Sequence, residues 1–370
     1  MPAVASTAPL PPRHAALDAL RALALLPVVV VNFSGYATLP WDGPLAAPAP
    51  GEGPLAWAVV VLVLALLQGK GILLLMALFG YGLALGGAAS GRLRRLLGIG
   101  LLHGALVYCG DIVSQYALAG LWLRRRVGRR LGALSRLAWR CLVLGGVWLL
   151  LQALASWAWP TPASPDERPL VASVSASDWL AGNAGSFAWW LLGAVLGLGP
   201  WLVGVVAWGV VAGRLGWLHR PRWRPQWQRL ARWAGPVLAL NLAYSAALVG
   251  QLVGRTDPLA ALGHTALGAL AVATWVPWLL LQARWPGWLV GAGRQTLSLY
   301  LACSVVTVLA WCGWAAGWQP GVTEAVVAGI GLWAGLVAWA ARASAAGRRL
   351  PAEAFMARRT RPAGTTGNAA

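Results

Sequence analysis

The chain has 370 residues, of which 59% are hydrophobic and only 11% charged, with a formal net charge of +19. Soluble domains carry roughly 25% charged residues, so this composition excludes a water-soluble globular fold and calls for a bilayer. The basic excess suggests nucleic acid at first. However, the arginines fall in short runs between apolar stretches (91–95, 124–130, 219–232 and 347–361), which is how cytoplasmic loops are charged and not a nucleic-acid footprint.

A crossing needs ~20 mostly apolar residues, and lipid admits only helices or closed barrels. The pattern predicts an all-α, polytopic membrane protein. About ten crossings fall at roughly 17–36, 70–88, 96–112, 113–123, 134–157, 196–217, 235–254, 266–283, 294–313 and 323–342. Residues 1–12 are predicted to be disordered, 13–345 to form a single transmembrane domain, and 346–370 to be a basic cytoplasmic tail. No signal-peptide layout precedes the first apolar run, which is expected to stay as an uncleaved anchor. With ten crossings, every basic loop and both termini face the cytoplasm, as in a multi-pass protein of the bacterial inner membrane.

Two apolar stretches, 55–88 and 186–217, are too long for one crossing. Residues 55–68 and the segment around Trp189 and Trp190 are predicted to be interfacial or re-entrant prefixes. Gly69 and Gly71 flank Lys70, the only lysine in the chain, and mark a break between them. The 113–123 segment is only ~16 Å of helix, too short to cross alone. The turn carrying Gly110 and Asp111 is therefore expected to dip into the membrane.

Ionisable groups inside a membrane are costly and need partners or a wet cavity. Asp18 and Arg21 stand three residues apart on one helix face and can pair. Asn32 lies ~16 Å further along the same helix. His103 and Asp111 are eight residues apart, about 80° around a straight helix. They meet only if the chain bends near Gly110; otherwise each needs a partner elsewhere. Histidine suits a general base, and Asp111 also suits a cap for the next short helix beside Tyr116. Lys70 reads either as a snorkelling side chain or as a ligand contact. Arg294, with the amides of the helix start behind it, reads as a phosphate cradle or as a plain capped start. The four cysteines lie in apolar stretches without metal-ligand spacing, so no metal site is expected.

Four blocks carry a family resemblance: "LDALRALALLPVVVVN" (17–32), "QGKGILLLMALFGYGLAL" (68–85), "LLGIGLLHGALVYCGDIVSQYALAG" (96–120) and "GAGRQTLSLYLACS" (291–304). A weaker fifth is "LPAEAFMAR" (350–358). Together they resemble the YeiB-like family of bacterial membrane proteins, which is similar to type-3 membrane acyltransferases and to heparan-glucosaminide acetyltransferase. The sequence departs from that pattern at Ala22, Gly71 and Ser298-Leu299. Asn32 stands where type-3 acyltransferases carry their catalytic histidine.

The resemblance implies acyl transfer from cytoplasmic acyl-CoA to a glycan or lipid-linked acceptor at the outer face. Arg21, Lys70 and Arg294 would hold the CoA phosphates or polarise the thioester. His103 would be the general base, Asn32 an oxyanion donor, and Asp111 a group that orients the acceptor or tunes His103 through water. Asp18, Tyr116, Tyr300 and Ser304 are the candidate substrate-binding positions. No permanently bound cofactor is expected, and a homodimer is compatible with the pattern. The alternative is a transporter or flippase in which His103 and Asp111 form a proton or substrate site.

Overall fold

The computed structural model describes residues 14–35, 48, 51–87, 89–158, 175–250, 258–282 and 284–357. The predicted disorder at 1–12, most of the 37–54 loop, residues 159–174 and 251–257, and the tail beyond 357 lie outside them. Among the described residues all regular structure is helical. Six helical stretches are long and apolar enough to cross a membrane: Ala15–Ser34, Pro54–Gly86, Leu131–Ala155, Ala176–Gly197, Leu262–Gln282 and Val322–Ala345. Three shorter apolar helices, Gly199–Leu215, Ala234–Val249 and Thr296–Trp311, bring the number to nine. The protein is thus an all-α polytopic membrane protein with six to nine such helices.

Helix α1 (Ala15–Ser34) is the most enclosed of the six long apolar stretches. It packs on α3 (Lys70–Gly82), α12 (Gly287–Gly293), α13 (Thr296–Trp311) and α14 (Val322–Ala345). Small residues set these approaches, as helices in lipid need. A Cβ at Gly71 would lie 2.6 Å from the Ala24 carbonyl of α1, and one at Gly293 would overlap the Asp18 backbone. Helix α8 (Gly199–Leu215) runs alongside α3 in the same direction, with Gly209 against Ala77 and Gly213 against Tyr81. The periphery is apolar: α6 (Leu131–Ala158) exposes Trp139, Val143, Leu144, Val147 and Leu151. A surface of that kind is stable against acyl chains and a liability in water.

Both predicted prefixes are helical and pack on the rest of the protein. Residues 54–66 form α2 (Pro54–Leu66), which buries Ala56, Val60 and Leu64 against Leu248, Val249 and Val322. Packed on α10 (Ala234–Val249) and α14, it is one half of a broken helix whose other half is α3. The break is where the glycines placed it, with Gly69 at φ 77° ahead of Lys70, a conformation that a side chain disfavours. The second prefix starts earlier than read, as α7 (Ala176–Gly193), and meets α8 through a π-helical turn at Ala194–Leu198.

Helices α4 (Ser90–Leu106) and α5 (Val113–Leu123) form a hairpin. Neither belongs to the nine apolar helices, so the crossings predicted at 96–112 and 113–123 stand as one hairpin with a buried turn. Its arginine-rich ends carry Arg92, Arg94 and Arg95 at one foot and Arg124, Arg125 and Arg126 at the other. Helix α11 (Pro258–Gln282) and two amphipathic pieces, α9 (Arg224–Ala231) and α15 (Pro351–Ala357), complete the described elements.

Candidate functional site

The α4–α5 turn brings together what the sequence separates. Helix α4 stops at Leu106, because Val107 leaves helical geometry and Tyr108–Asp111 loops back. The bend predicted near Gly110 begins at Val107, three residues earlier. It folds Asp111 under His103, so the pair meets as a dyad: His103 Nδ1 lies 2.9 Å from Asp111 Oδ1, with both side chains buried.

Asp111 is satisfied on every side. Its Oδ2 accepts the Ser114 N–H at 2.7 Å, which caps the start of α5. Its carbonyl accepts from Gln115 Nε2 and Trp190 Nε1. The expected capping role and the pairing role are therefore both filled by one carboxylate. Gly100 makes this possible: a Cβ there would lie 2.3 Å from the Ser114 nitrogen and 2.9 Å from Asp111 Oδ2.

With Asp111 accepting Nδ1–H, the neutral imidazole keeps its lone pair on Nε2. That atom is buried and has no hydrogen-bond partner among the described residues. The Tyr300 ring stands 5.0 Å from the imidazole centroid. The Tyr300 hydroxyl accepts the Ile112 N–H at 3.3 Å and retains a proton of its own.

Helix α7 covers the turn. Asn183 donates to the Gly104 and Ala105 carbonyls and accepts the Cys109 N–H, which satisfies groups that the end of α4 leaves open. Phe187 fills the space above Gly104. Asn183 and Trp190 are contacts to the turn that sequence reasoning missed. A buried asparagine in an otherwise apolar helix was the available signal.

The remaining predicted residues are distributed unevenly. Tyr116 is buried next to the dyad, but its hydroxyl donates to the Ile72 carbonyl of α3. Ser304 turns its hydroxyl back to the Tyr300 carbonyl in its own helix. As donors, neither is available to a substrate. Asn32 is half-buried near the far end of α1, and none of the dyad's hydrogen bonds reaches it.

Asp18 joins the two arginines. Its Oδ1 is 3.1 Å from Arg21 Nη1, and its Oδ2 is 3.5 Å from Arg294 Nε. Gly293 brings α12 and α1 close enough for this.

Lys70 is not part of that group. Gly82 is the residue that touches Arg21, with its Cβ position 3.1 Å from Nη2. Lys70 lies twelve residues up α3, ~18 Å away. It does not snorkel either, since its ammonium is buried and donates to the Leu64 carbonyl at 2.7 Å. Arg21 and Arg294 therefore meet on Asp18, and Lys70 stands apart from both.

The phosphate cradle at the start of α13 is likewise closed. Glu353 of α15 accepts the N–H groups of Leu297 at 2.9 Å and Ser298 at 3.1 Å, and the Ser298 hydroxyl as well. Burial raises the Glu353 carboxyl above its ordinary range, and those hydrogen bonds pull it back. Gln295 ties the same corner to Arg348 and Leu350. The plain capped start is what the fold contains.

A cavity of about 490 Å³ opens at the foot of the α4–α5 hairpin, lined by Arg94, Leu121, Trp122, Arg124, Arg125 and Arg126. The Arg126 guanidinium stacks 3.8 Å from the Trp122 ring centroid. No group of three or more His, Cys, Asp or Glu arranged to hold a metal occurs among the described residues.

Residues 212–360 match the family described as a protein of unknown function, DUF418, which is associated with YeiB-like proteins. The match begins at the end of α8 and includes α15 with Glu353. The His103–Asp111 hairpin lies outside it. No curated protein and no solved structure matches the chain.

Proposed function

We propose that this protein is an acyl-CoA-dependent membrane acyltransferase that acylates a hydroxyl or amine of a glycan or lipid-linked acceptor. The observation that carries the proposal is the His103–Asp111 dyad with Nε2 unpartnered. A carboxylate that fixes the tautomer and orientation of a histidine, with the far nitrogen left free, is the arrangement a general base needs.

In the reaction, Nε2 takes the proton of the acceptor O–H as the oxygen attacks the thioester carbonyl. Asp111 stabilises the imidazolium that forms. The Tyr300 hydroxyl proton serves as donor to the developing oxyanion, a role expected of Asn32 from sequence. The carbon–sulfur bond then breaks, and the imidazolium returns its proton to the CoA sulfur. The polyanionic donor enters from the arginine-rich end. The Arg94/Trp122/Arg124–Arg126 cavity and the Arg21–Asp18–Arg294 cluster both lie there.

That end is the cytoplasmic face of the bacterial inner membrane. Ten crossings with both termini inside follow if the broken α2–α3 unit counts as one, α4 and α5 as two, and α7–α8 as one. A transporter or flippase is the second reading, favoured by the break at Lys70, because broken helices line substrate paths in transporters.

The deciding experiment uses protein in nanodiscs with radiolabelled acetyl-CoA and longer acyl-CoAs, comparing wild type with His103→Ala. Saturable binding with thioester cleavage that disappears in the variant supports acyl transfer. Absence of binding to every acyl-CoA removes it and leaves transport.

A further inference from the structure

The break between α2 and α3 holds a second buried polar cluster, which does not touch the dyad. Helix α2 ends at Leu66 and α3 begins at Lys70, so the last carbonyls of α2 face the gap. Lys70 donates to one of them, at Leu64. His264 of α11 comes from the other side: its imidazole lies beside the Gln68 backbone and within electrostatic reach of Lys70. Both residues are only 4% exposed. The sequence flagged Lys70 and gave no reason to single out His264.

Capping explains half of this arrangement. The negative end of a helix dipole welcomes a cation, and Lys70 on the Leu64 carbonyl does that work. Capping does not explain His264. Its Nε2 is buried and has no hydrogen-bond partner among the described residues. An unsatisfied buried polar atom is uncommon and asks for an occupant.

The charge is also unbalanced. Among the described residues the ion pairs are Arg21–Asp18, Arg294–Asp18 and His103–Asp111, and none reaches Lys70. An ammonium in this position keeps N–H donors beyond the one on Leu64. The cluster therefore offers positive charge with spare donors beside an imidazole lone pair, at a helix break inside the membrane. Breaks of this kind are where membrane proteins bind polar substrates.

We infer that Lys70 and His264 form an intramembrane binding site for a small molecule bearing a carboxylate next to a hydroxyl or ammonium donor. The carboxylate pairs with the Lys70 ammonium, and the neighbouring donor is accepted by His264 Nε2. The site is independent of the acyl-transfer reading, since no residue is shared with the dyad or the arginine clusters.

Lys70 is the only lysine in the chain, which makes the test specific. Wild-type protein in nanodiscs is treated with cyanoborohydride and either glyoxylate, an aldehyde carrying a carboxylate, or propanal, a neutral aldehyde of similar size. Modification of Lys70 is read by peptide mass spectrometry, with the N-terminal amine as the internal reference. The site predicts that glyoxylate labels Lys70 at least ~tenfold faster than propanal relative to the N-terminus, the scale of one charge-assisted hydrogen bond. It also predicts that lactate, which carries both features, slows the labelling. His264→Leu abolishes the protection by lactate, while His264→Gln, which keeps an acceptor, retains part of it.

Labelling by propanal at an equal or greater rate overturns the proposal. So does a Lys70 inert to both reagents, since the ammonium is then a helix cap and nothing more. If His264→Leu does not yield folded protein, the two aldehydes on the wild type still decide.

Discussion

The two buried polar clusters differ in charge balance. At the α4–α5 turn an acid faces a base, every oxygen of Asp111 is engaged, and one nitrogen is left over. At the α2–α3 break Lys70 donates to a carbonyl with His264 within electrostatic reach, and no ion pair among the described residues joins them. The first cluster balances its own charge and leaves one nitrogen, as the acyl-transfer proposal requires, whereas the second leaves a positive charge, as the binding-site proposal requires. The same apolar surroundings make an unpaired charge costly, and the two proposals rest on that difference.

Breaking the dyad is expected to have the largest effect. His103→Ala and His103→Gln should each lower single-turnover thioester cleavage by ~10²-fold or more, with the fold intact by size-exclusion profile. Equal rates in wild type and variants would remove His103 as the base. Asp111→Ala should go further and lower stability by ~3–5 kcal/mol, because it unpairs a buried histidine and uncaps α5. Asp111→Asn keeps the cap and should lose activity with a smaller loss of stability. Denaturation in detergent distinguishes the two.

The packing beneath the dyad comes next. Gly100→Ala forces a methyl to within 2.3 Å of backbone and should cost ~1–3 kcal/mol. Gly98→Ala, which meets nothing within 4 Å, is the control. A smaller effect is expected at the arginine-rich end. Glu353→Ala should cost ~1 kcal/mol, as for a lost N-cap, and raise hydrogen exchange at Leu297 and Ser298.

The smallest effect is in pH. His219 stacks on His14 at 3.7 Å, and its Nδ1 lies 2.7 Å from the Tyr81 hydroxyl. Burial, then His14 and Arg220, lower its pKa below the ordinary value. Folding therefore favours the neutral ring. Its contribution is intact above the unfolded pKa near 6.5 and declines as the pH falls below it. Melting temperatures at about pH 7.5 and about pH 5.5 should converge in His14→Asn, which removes one of the charges facing His219.

Composition and periodicity alone decide that the chain lives in a bilayer, that it is helical, and that its basic loops cluster at one end. Hydrocarbon leaves a backbone no other solution, and every stretch reports its own hydropathy. Local chemistry also placed the break at Lys70, because glycine is the residue that adopts positive φ. It pointed to a buried turn at Asp111 as well, because eleven residues are too few to cross alone.

Partnership between distant residues was not legible. That His103 closes on Asp111 depended on where α4 unwinds, and helical angles on a straight rod kept the two apart. That Glu353 occupies the amides of α13, and that His264 comes near Lys70, depended on elements far apart in sequence packing together. A hydropathy pattern records whether a helix is buried, but not which neighbour covers it. The sites were therefore decided by tertiary structure, where the close approaches that glycine permits set which polar atoms meet.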